Sequence, residues 1–494
     1  MDPASLVVAE QVVSTTIEGA AVAGIAIAQK THPLSAAFTR ITSENFLPRF
    51  DHSISVCNGR AYIFGGHISE SDLAGNEIHI ISLPLQQLDT RDSPDYKIVP
   101  ALGNGENGEG DVPRPRAGHV AQIIGDKIYI FGGQDENGTP VEENGKVWYF
   151  DTTSLRWTSV DPASGAPYPS ARYSHAAAGS EKPLPAPEQP TGTFKSSVQA
   201  AVKKIPELVA KPEPVRSPHG TLVVVSGLAK DRKPLKDAWL FDIAAAKWTP
   251  LPTLTASLLN VPTIGLIDRR LYIINHPSNL EGEVLLYDLP IKDAAEDQSA
   301  EERDVAAPKP QWQNVSFPTN ALVPGPEART GAGLIPITTG HGRNYLLYFF
   351  GERSMSPTPT GHDKRLSENS PPYLSTLFTY QPAALPRTAA STKDATRSAI
   401  NVDSGEHSWA EVRVIPREEI GTESEGKSHP GPRGRFAYTG LGLENKGGGW
   451  ISAGVGKLLG KTEEDTQNGY GVLVWGGKDA RGEVTGDGWI LRVR

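Results

Sequence analysis

One pentapeptide, Tyr-Ile-Phe-Gly-Gly, occurs twice in this chain, at Tyr62–Gly66 and Tyr129–Gly133, and it constrains the fold more than any other feature. Each copy closes a longer run, "GRAYIFGGH" (59–67) and "DKIYIFGGQ" (126–134). A third run, "YGVLVWGGK" (470–478), repeats the pattern of an apolar, β-prone stretch ending in Gly-Gly. Three weaker copies lie between them: "TLVVVSGLA" (221–229), "RLYIINHP" (270–277) and "YLLYFFGE" (345–352). All are continuous apolar runs of strand length, as expected where a strand is buried on both faces. Six copies of one unit mark a repeat architecture.

The flanks of these runs repeat as well. Upstream, Arg49-Phe-Asp-His52, Arg116-Ala-Gly-His119 and Arg172-Tyr-Ser-His175 share an Arg-x-x-His spacing. Arg329 to Ala332 and Arg435 to Tyr438 keep the Arg with a different fourth residue, and the copy near Val261 to Ile264 lacks it. Downstream, "VWYFDTTSLRW" (147–157) and "AWLFDIAAAKW" (238–248) align residue for residue, with Asp151 and Asp242 six positions before Trp157 and Trp248. That spacing is strand, turn, strand: the Asp side chain caps the turn, and the Trp fills the space between neighbouring sheets. Looser versions are "LLYDLP" (285–290) with Trp312 and "LFTY" (377–380) with Trp409. Each unit is then four strands: a after the Arg, b ending in Gly-Gly, c with the aromatic-Asp pair, and d with the Trp.

In these residues the chain resembles the kelch repeat, whose units form the four-stranded blades of a β-propeller. The resemblance spans about 300 residues at roughly 50 per blade. It implies an all-β, six-bladed kelch-type β-propeller at 35–494, with blades at 49–101, 114–160, 170–252, 259–317, 327–415 and 433–494. A content of 50 Gly and 41 Pro in 494 residues agrees with so turn-rich a fold. Gly-Gly suits the end of strand b, where the chain turns sharply and backbones approach closely enough that a Cβ would clash. After Gly476-Gly477 a single further strand, Gly488 to Val493, precedes Arg494, so the sixth blade lacks strand d. "AAFTRI" (36–41) is β-prone and has no partner of its own. Pairing it as the outer strand of blade six removes an open edge and locks the ring.

Residues 1–34 form an N-terminal arm, with a short helix expected over Ser5 to Ala28 and Leu6, Val13, Ile17, Ala21, Ile25 and Ala28 on one stripe. Met1 to Ser5 carry no positive charge and Glu10 and Glu18 interrupt the apolar character, which argues against a secretory signal. The run Ala20 to Ala28 falls well short of the roughly 20 residues a membrane-spanning helix needs. Long insertions at 180–218, 291–310, 381–407 and 444–468 fall in a-to-b or c-to-d loops, hence on one face of the disc; 352–371 falls on the other. Segment 291–308 is acidic and 181–218 basic. They are either independent solvated loops or docked against each other.

Chemistry is sought next, and composition narrows it. One cysteine, Cys57, forbids an intramolecular disulfide and a Cys-based zinc site and fits a reducing, cytoplasmic setting. A net charge of −9 offers no basic excess for nucleic acid or for a polybasic membrane contact. Kelch enzymes similar to galactose oxidase need a cross-linked Cys-Tyr pair and two His; Cys57, beside Asn58-Gly59 at a strand turn, is better read as a small buried residue. The Glu-x3-Asp-x3-Asp iron cluster of specifier-type kelch proteins does not occur, nor does a phosphate loop, an HExxH helix or a GxSxG elbow. His52, His119 and His175 either converge as a metal site or hydrogen-bond neighbouring blades as structural groups.

The candidate site is the repeated Arg. Arg49, Arg116, Arg172, Arg329 and Arg435 enter strand a near the mouth of the central channel, where five guanidinium groups would attract carboxylate or phosphate. In kelch domains that recruit acidic peptides, similar arginines on the same face do this. The alternative is structural, with each Arg pinning loop carbonyls of adjacent blades. The expectation is a monomeric, non-enzymatic interaction module with no catalytic residue, metal or cofactor, which binds a protein partner, one with an acidic motif, through its loop faces. About 35 residues before the first blade leave no room for a BTB or F-box adaptor domain. The competing expectation is a small-molecule-binding protein or enzyme that uses the channel mouth.

Overall fold

The computed structural model describes residues 33–43, 46–83, 95–183, 219–254, 258, 261–277, 281–291, 311–318, 325–339, 343–354, 372–386, 388–415, 429–441 and 470–493. Within them the chain forms five four-stranded sheets, one five-stranded sheet and a two-residue ribbon between Arg329–Thr330 and Glu352–Arg353. Strand a of every blade touches strand a of the next in cyclic order, so the sheets close into a six-bladed propeller.

Blade one is Ser53–Cys57, Arg60–Phe64, Ile78–Ser82 and Tyr96–Val99. Blade two is Val120–Ile124, Lys127–Phe131, Val147–Asp151 and Arg156–Val160. Blade three is Ala176–Ser180, Thr221–Val225, Ala238–Asp242 and Lys247–Pro250. Blade four is Thr263–Ile267, Arg270–Asn275, Glu281–Asp288 and Gln313–Pro318. Blade five is Gly333–Thr338, Asn344–Phe349, Leu377–Tyr380 and Trp409–Glu411. Blade six is Ala437–Gly440, Tyr470–Lys478, Val484–Val493 and, from the N-terminal side, Ser35–Arg40.

Closure is antiparallel, with Ala36 opposite Val493 and Arg40 opposite Trp489. Phe38 on this strand is 3% exposed and packs edge-on against Trp489 at 6.4 Å. A feature the repeats do not announce covers the closing strand in turn: Arg413–Val414, leaving blade five, pairs parallel with Ser35 and Ala36. The outer edge of blade six is therefore partly covered, which limits its capacity to recruit another strand.

The d-strand tryptophans fill the seams between sheets. Trp157 lies 5.1 Å from Phe64, Trp248 4.9 Å from Phe131 and Trp409 5.0 Å from Phe317, each ring belonging to the preceding blade. Asp151 and Asp242 cap their turns, each accepting two backbone N–H bonds from the residues two and three positions on. At the closing seam Tyr96 stands in register with Trp157, and Phe46 wedges between Tyr96 (5.2 Å) and Trp475 (6.0 Å).

The insertion at 381–407 contains the α-helix Ala389–Ala399, started by a capping box between Thr388 and Ser391. The helix expected in the N-terminal arm lies outside the described residues, as do the insertion segments 184–218, 292–310, 355–371 and 442–469 and the docking suggested for two of them.

Candidate functional site

Five arginines repeat one geometry. In each, Nη1 donates to the carbonyl of the first residue of the Gly-Gly position in its own blade: Arg49 to Gly65 (2.9 Å), Arg116 to Gly132 (3.0 Å), Arg172 to Ser226 (3.0 Å), Arg329 to Phe350 (3.2 Å) and Arg433 to Gly476 (3.1 Å). All five side chains are buried, between 0 and 4% exposed. The sixth blade thus uses Arg433, two residues before the position that the sequence spacing selects. The reason is register. Ala437 pairs with Trp475 as Ser53 pairs with Phe64, and counting back four residues gives Arg433 and Arg49.

Arg435 instead takes the position of Asp51, Gly118, Ser174 and Gly331. All five adopt left-handed backbone, with φ between +50° and +64°. Their peptides link blades directly: Asp51 N–H donates to Arg435 O (3.0 Å), Gly118 N–H to Asp51 O (2.8 Å) and Ser174 N–H to Gly118 O (2.7 Å). The Arg435 side chain is 35% exposed, pairs with the Asp51 carboxylate and lies 4.6 Å over the Phe50 ring.

Three of the five buried guanidiniums meet a carboxylate, which offsets the cost of burying the charge. Arg116 is bidentate to Glu143 (2.9 and 2.7 Å), Arg172 to Asp237 (2.7 and 2.8 Å) and Arg433 to Asp487 (2.8 and 2.7 Å). A Trp indole N–H completes each group: Trp148 to Glu143, Trp239 to Asp237 and Trp489 to Asp487. These acids were not singled out from the repeats, although Asp237-Ala-Trp239 and Asp487-Gly-Trp489 carry a readable acid-x-Trp signal. Blade one substitutes His79, whose Nε2 lies 2.6 Å from Arg49 Nη2, with Glu77 at 3.6 Å. Blade five substitutes the Thr376 hydroxyl for Arg329 (2.9 Å). Blade four, without the Arg, keeps the acid as Glu283, which accepts from Asn275 and Asn314.

The three repeated histidines sit against glycines. A Cβ on Gly65 would fall 3.0 Å from His119 Cε1, on Gly132 2.6 Å from His175 Cε1, and on Gly476 3.1 Å from His52 Cε1. Each imidazole therefore covers the first Gly position of the preceding blade. The second residue of the pair donates its N–H to the Arg carbonyl of the next blade: Gly66 to Arg116 (2.9 Å), Gly133 to Arg172 (2.9 Å), Gly351 to Arg433 (2.9 Å) and, closing the ring, Gly477 to Arg49 (2.7 Å). Its φ of +86° to +105° and its contact with the strand a backbone leave no room for a side chain. Burial, reinforced by Arg116, holds the His119 imidazole down at about pKa 3, with Nε2 2.8 Å from Ser53 Oγ of blade one. Burial, reinforced by Arg49 and Arg172 respectively, likewise lowers His52 and His175.

Residues 115–163, which hold Arg116, His119, Gly132-Gly133, Asp151 and Trp157, match the family profile described as "Kelch motif". Blade two thus carries a kelch motif. Over 132 residues the chain is 33% identical to the Rab9 effector protein with kelch motifs of Gallus gallus, a match over 26% of this chain and 30% of that protein. It is 28% identical over 151 residues to Tip elongation aberrant protein 1 of Schizosaccharomyces pombe, over 29% and 12% of the two chains. It is 33% identical over 125 residues to the Rho GTPase-activating protein gacHH of Dictyostelium discoideum, over 24% and 7%. The matched segments span a third or less of each relative's length. A solved structure, that of YjhT, superposes over 92% of this chain and 99% of its own with a TM-score of 0.47 at 11% identity.

The kelch propeller encloses a central cavity of about 370 Å³, lined by strand a of all six blades. His52, His119 and His175 border it, as do Ser53, Gln122 and Thr263, but no Asp, Glu, Lys or Arg is among its lining residues. None of the five sequence-selected arginines reaches it. Cys57 is half-buried and accepts a long contact from the Thr152 hydroxyl (3.8 Å). Among the described residues no three His, Cys, Asp or Glu side chains converge as metal ligands, and no helix is long and apolar enough to cross a membrane.

Proposed function

We propose that this kelch propeller is a protein-interaction module that presents charged loops on a rigid ring, in a cytoplasmic setting, and carries out no chemistry of its own. The observation that supports the reading is a division of charge on the face built by the b-to-c and d-to-a loops. Exposed Asp72, Glu106, Glu109, Asp111 and Glu136 lie on blades one and two with one exposed cation, Arg114, in the same linker, whereas blade three presents exposed Lys230, Arg232, Lys233 and Lys236 with one exposed acid, Asp231, paired to Lys233. Charge placed in this way steers and orients a partner of complementary sign. Two of the matched relatives are named for partners that are themselves proteins, a Rab9 effector and a Rho GTPase-activating protein.

Within this reading Arg49, Arg116, Arg172 and Arg329, with Arg433, hold the ring, Arg435 is held by Asp51 at the ring closure, and the partner contacts fall to the exposed charges of the loops. The test is capture from the native host with wild type and with two charge-reversed variants, Glu106→Lys/Glu109→Lys/Asp111→Lys and Lys230→Glu/Lys233→Glu. A stoichiometric protein lost with one variant, at unchanged melting temperature, supports the proposal. Capture indifferent to both reversals overturns it.

A second reading rests on the cavity. At about 370 Å³ with an uncharged lining, it has the size of a small-ligand pocket and would suit a neutral molecule. Native mass spectrometry of protein purified from the host tests this: a bound small molecule supports it, and an unliganded mass for the folded protein counts against it.

A further inference from the structure

The central cavity has a polar side and an apolar side, set by one layer of the ring. The third residue of strand a is Ser55, Gln122, Ala178, Gly265, Ile335 and Thr439 in blades one to six. All six border the cavity, which is open to solvent rather than sealed. Their strands pair with strand b in equivalent register, so the six positions stand at one level around the channel. The three polar members are neighbours, because strand a of blade one touches those of blades six and two. Blades three, four and five contribute no polar side chain at this level.

The polar members have hydrogen-bonding capacity to spare. Ser55 is 4% exposed and Thr439 half-buried, and among the described residues neither hydroxyl has a hydrogen-bond partner. Neither oxygen is sealed off, so each meets the cavity. Gln122 Nε2 donates to Ala177 O (3.1 Å), which fixes the amide and leaves Oε1 as an acceptor. A buried hydroxyl without a protein partner is costly unless water or a ligand answers it. The facing wall, with Ala178, Leu266, Ile335 and Pro336, offers only C–H groups from its side chains.

We propose that the cavity holds a neutral cyclic polyol, a cyclitol or an unmodified monosaccharide, with hydroxyl groups toward blades six, one and two and ring C–H groups toward blades three to five. Hydroxyls on neighbouring blades can each donate and accept, as the vicinal hydroxyls of a polyol do, and Gln122 Oε1 takes one further donor. No Asp, Glu, Lys or Arg is among the lining residues to balance a charged ligand. The assignment rests on the cavity reading given above, and the exposed loop charges of the protein-interaction reading play no part in it.

The full chain is titrated with myo-inositol, with D-glucose and, as a ring bearing a single hydroxyl, with cyclohexanol, and followed by calorimetry and thermal melting. Saturable binding of at least one polyol, tighter than that of cyclohexanol, is the expected result, and the preferred polyol tells a cyclitol from a monosaccharide. Ser55→Ala combined with Thr439→Val should weaken that binding about tenfold. The melting temperature of the unliganded double variant should be unchanged or higher, because each change removes an unpaired hydroxyl. Each single variant should show part of the loss. Polyol binding undiminished in the single and double variants overturns the proposal. Cyclohexanol bound more tightly than both polyols overturns it too, yet upholds the cavity as a ligand pocket, whereas no binding by any of the three overturns the proposal and counts against the cavity reading as well.

Discussion

Replacing Arg116 by Ala separates a ring-holding guanidinium from a partner-binding one. Arg116 is fully buried and donates to Gly132 O (3.0 Å), Arg114 O (3.1 Å) and both oxygens of Glu143 (2.9 and 2.7 Å). Its removal leaves a carboxylate 15% exposed without a counter-ion and an interior carbonyl without a donor. Breaking a buried pair from one side costs about 3–5 kcal/mol. At about 1 °C per kcal/mol for a chain of this size, the melting temperature should fall by roughly 3–5 °C. Differential scanning calorimetry and urea unfolding measure the loss, and affinity for any captured partner is read on the same preparation. Lys233→Ala is the internal control: both members of its pair with Asp231 are exposed, and the melting temperature should not change. A loss under about 1 kcal/mol for Arg116→Ala, accompanied by weakened partner binding, would refute the structural assignment and return the guanidinium to the partner.

Gly66→Ala puts a Cβ 2.5 Å from His52 Cβ at φ +86° and should destabilise by several kcal/mol, whereas Gly125→Ala, at φ +64° with nothing within 4 Å, should cost only about 1–2 kcal/mol; equal losses in urea titrations would show that the close approach is not what selects glycine. Phe38→Ala on the closing strand should cost about 3–5 kcal/mol, and deletion of residues 1–42 should bare the edge of Val484–Val493 and abolish cooperative unfolding; a truncated protein that stays monomeric with an unchanged melting temperature would contradict the closure. Acid should loosen the ring in a stated window. His52, His119 and His175 have folded pKa values below the ordinary 6.5, so the unfolded chain binds their protons more readily. Their contribution is therefore complete above about pH 6.5 and is lost as pH falls, for His119 down to about pH 3, with a slope of about 1.4 kcal/mol per pH unit for each group. His119→Gln should flatten the stability profile between pH 6.5 and 5 by one such increment; an unchanged slope would show that the imidazole is not buried neutral.

The blade count, the four-strand unit and the closing strand could be read from the chain because each rests on a local pattern that recurs. An apolar run closed by Gly-Gly is a buried strand entering a crowded turn, and Asp six residues before Trp is a capped hairpin whose outer ring must find a neighbouring sheet. The missing outer strand of blade six was legible for the same reason, as a repeat with one part too few and a β-prone segment with no unit of its own. The parallel cover at Arg413–Val414 had no such mark, since two residues carry no period.

The role of the arginines was not legible, because an Arg at a channel mouth and an Arg turned inward have the same spacing in sequence. Direction depends on what waits inside. Glu143, Asp237 and Asp487 stand between 27 and 65 residues along the chain from the arginines they meet, and only sheet pairing brings them within 3 Å. Register decided between Arg433 and Arg435 in the same way: one side chain reaches the Gly476 carbonyl, and the other occupies a left-handed position that faces Asp51 across the closure of the ring. Sequence alone determined the repeating unit, because burial and turn geometry act over a few residues. Tertiary structure alone decided which charges are locked in the seams and which face solvent, because that depends on contacts between blades distant in the chain.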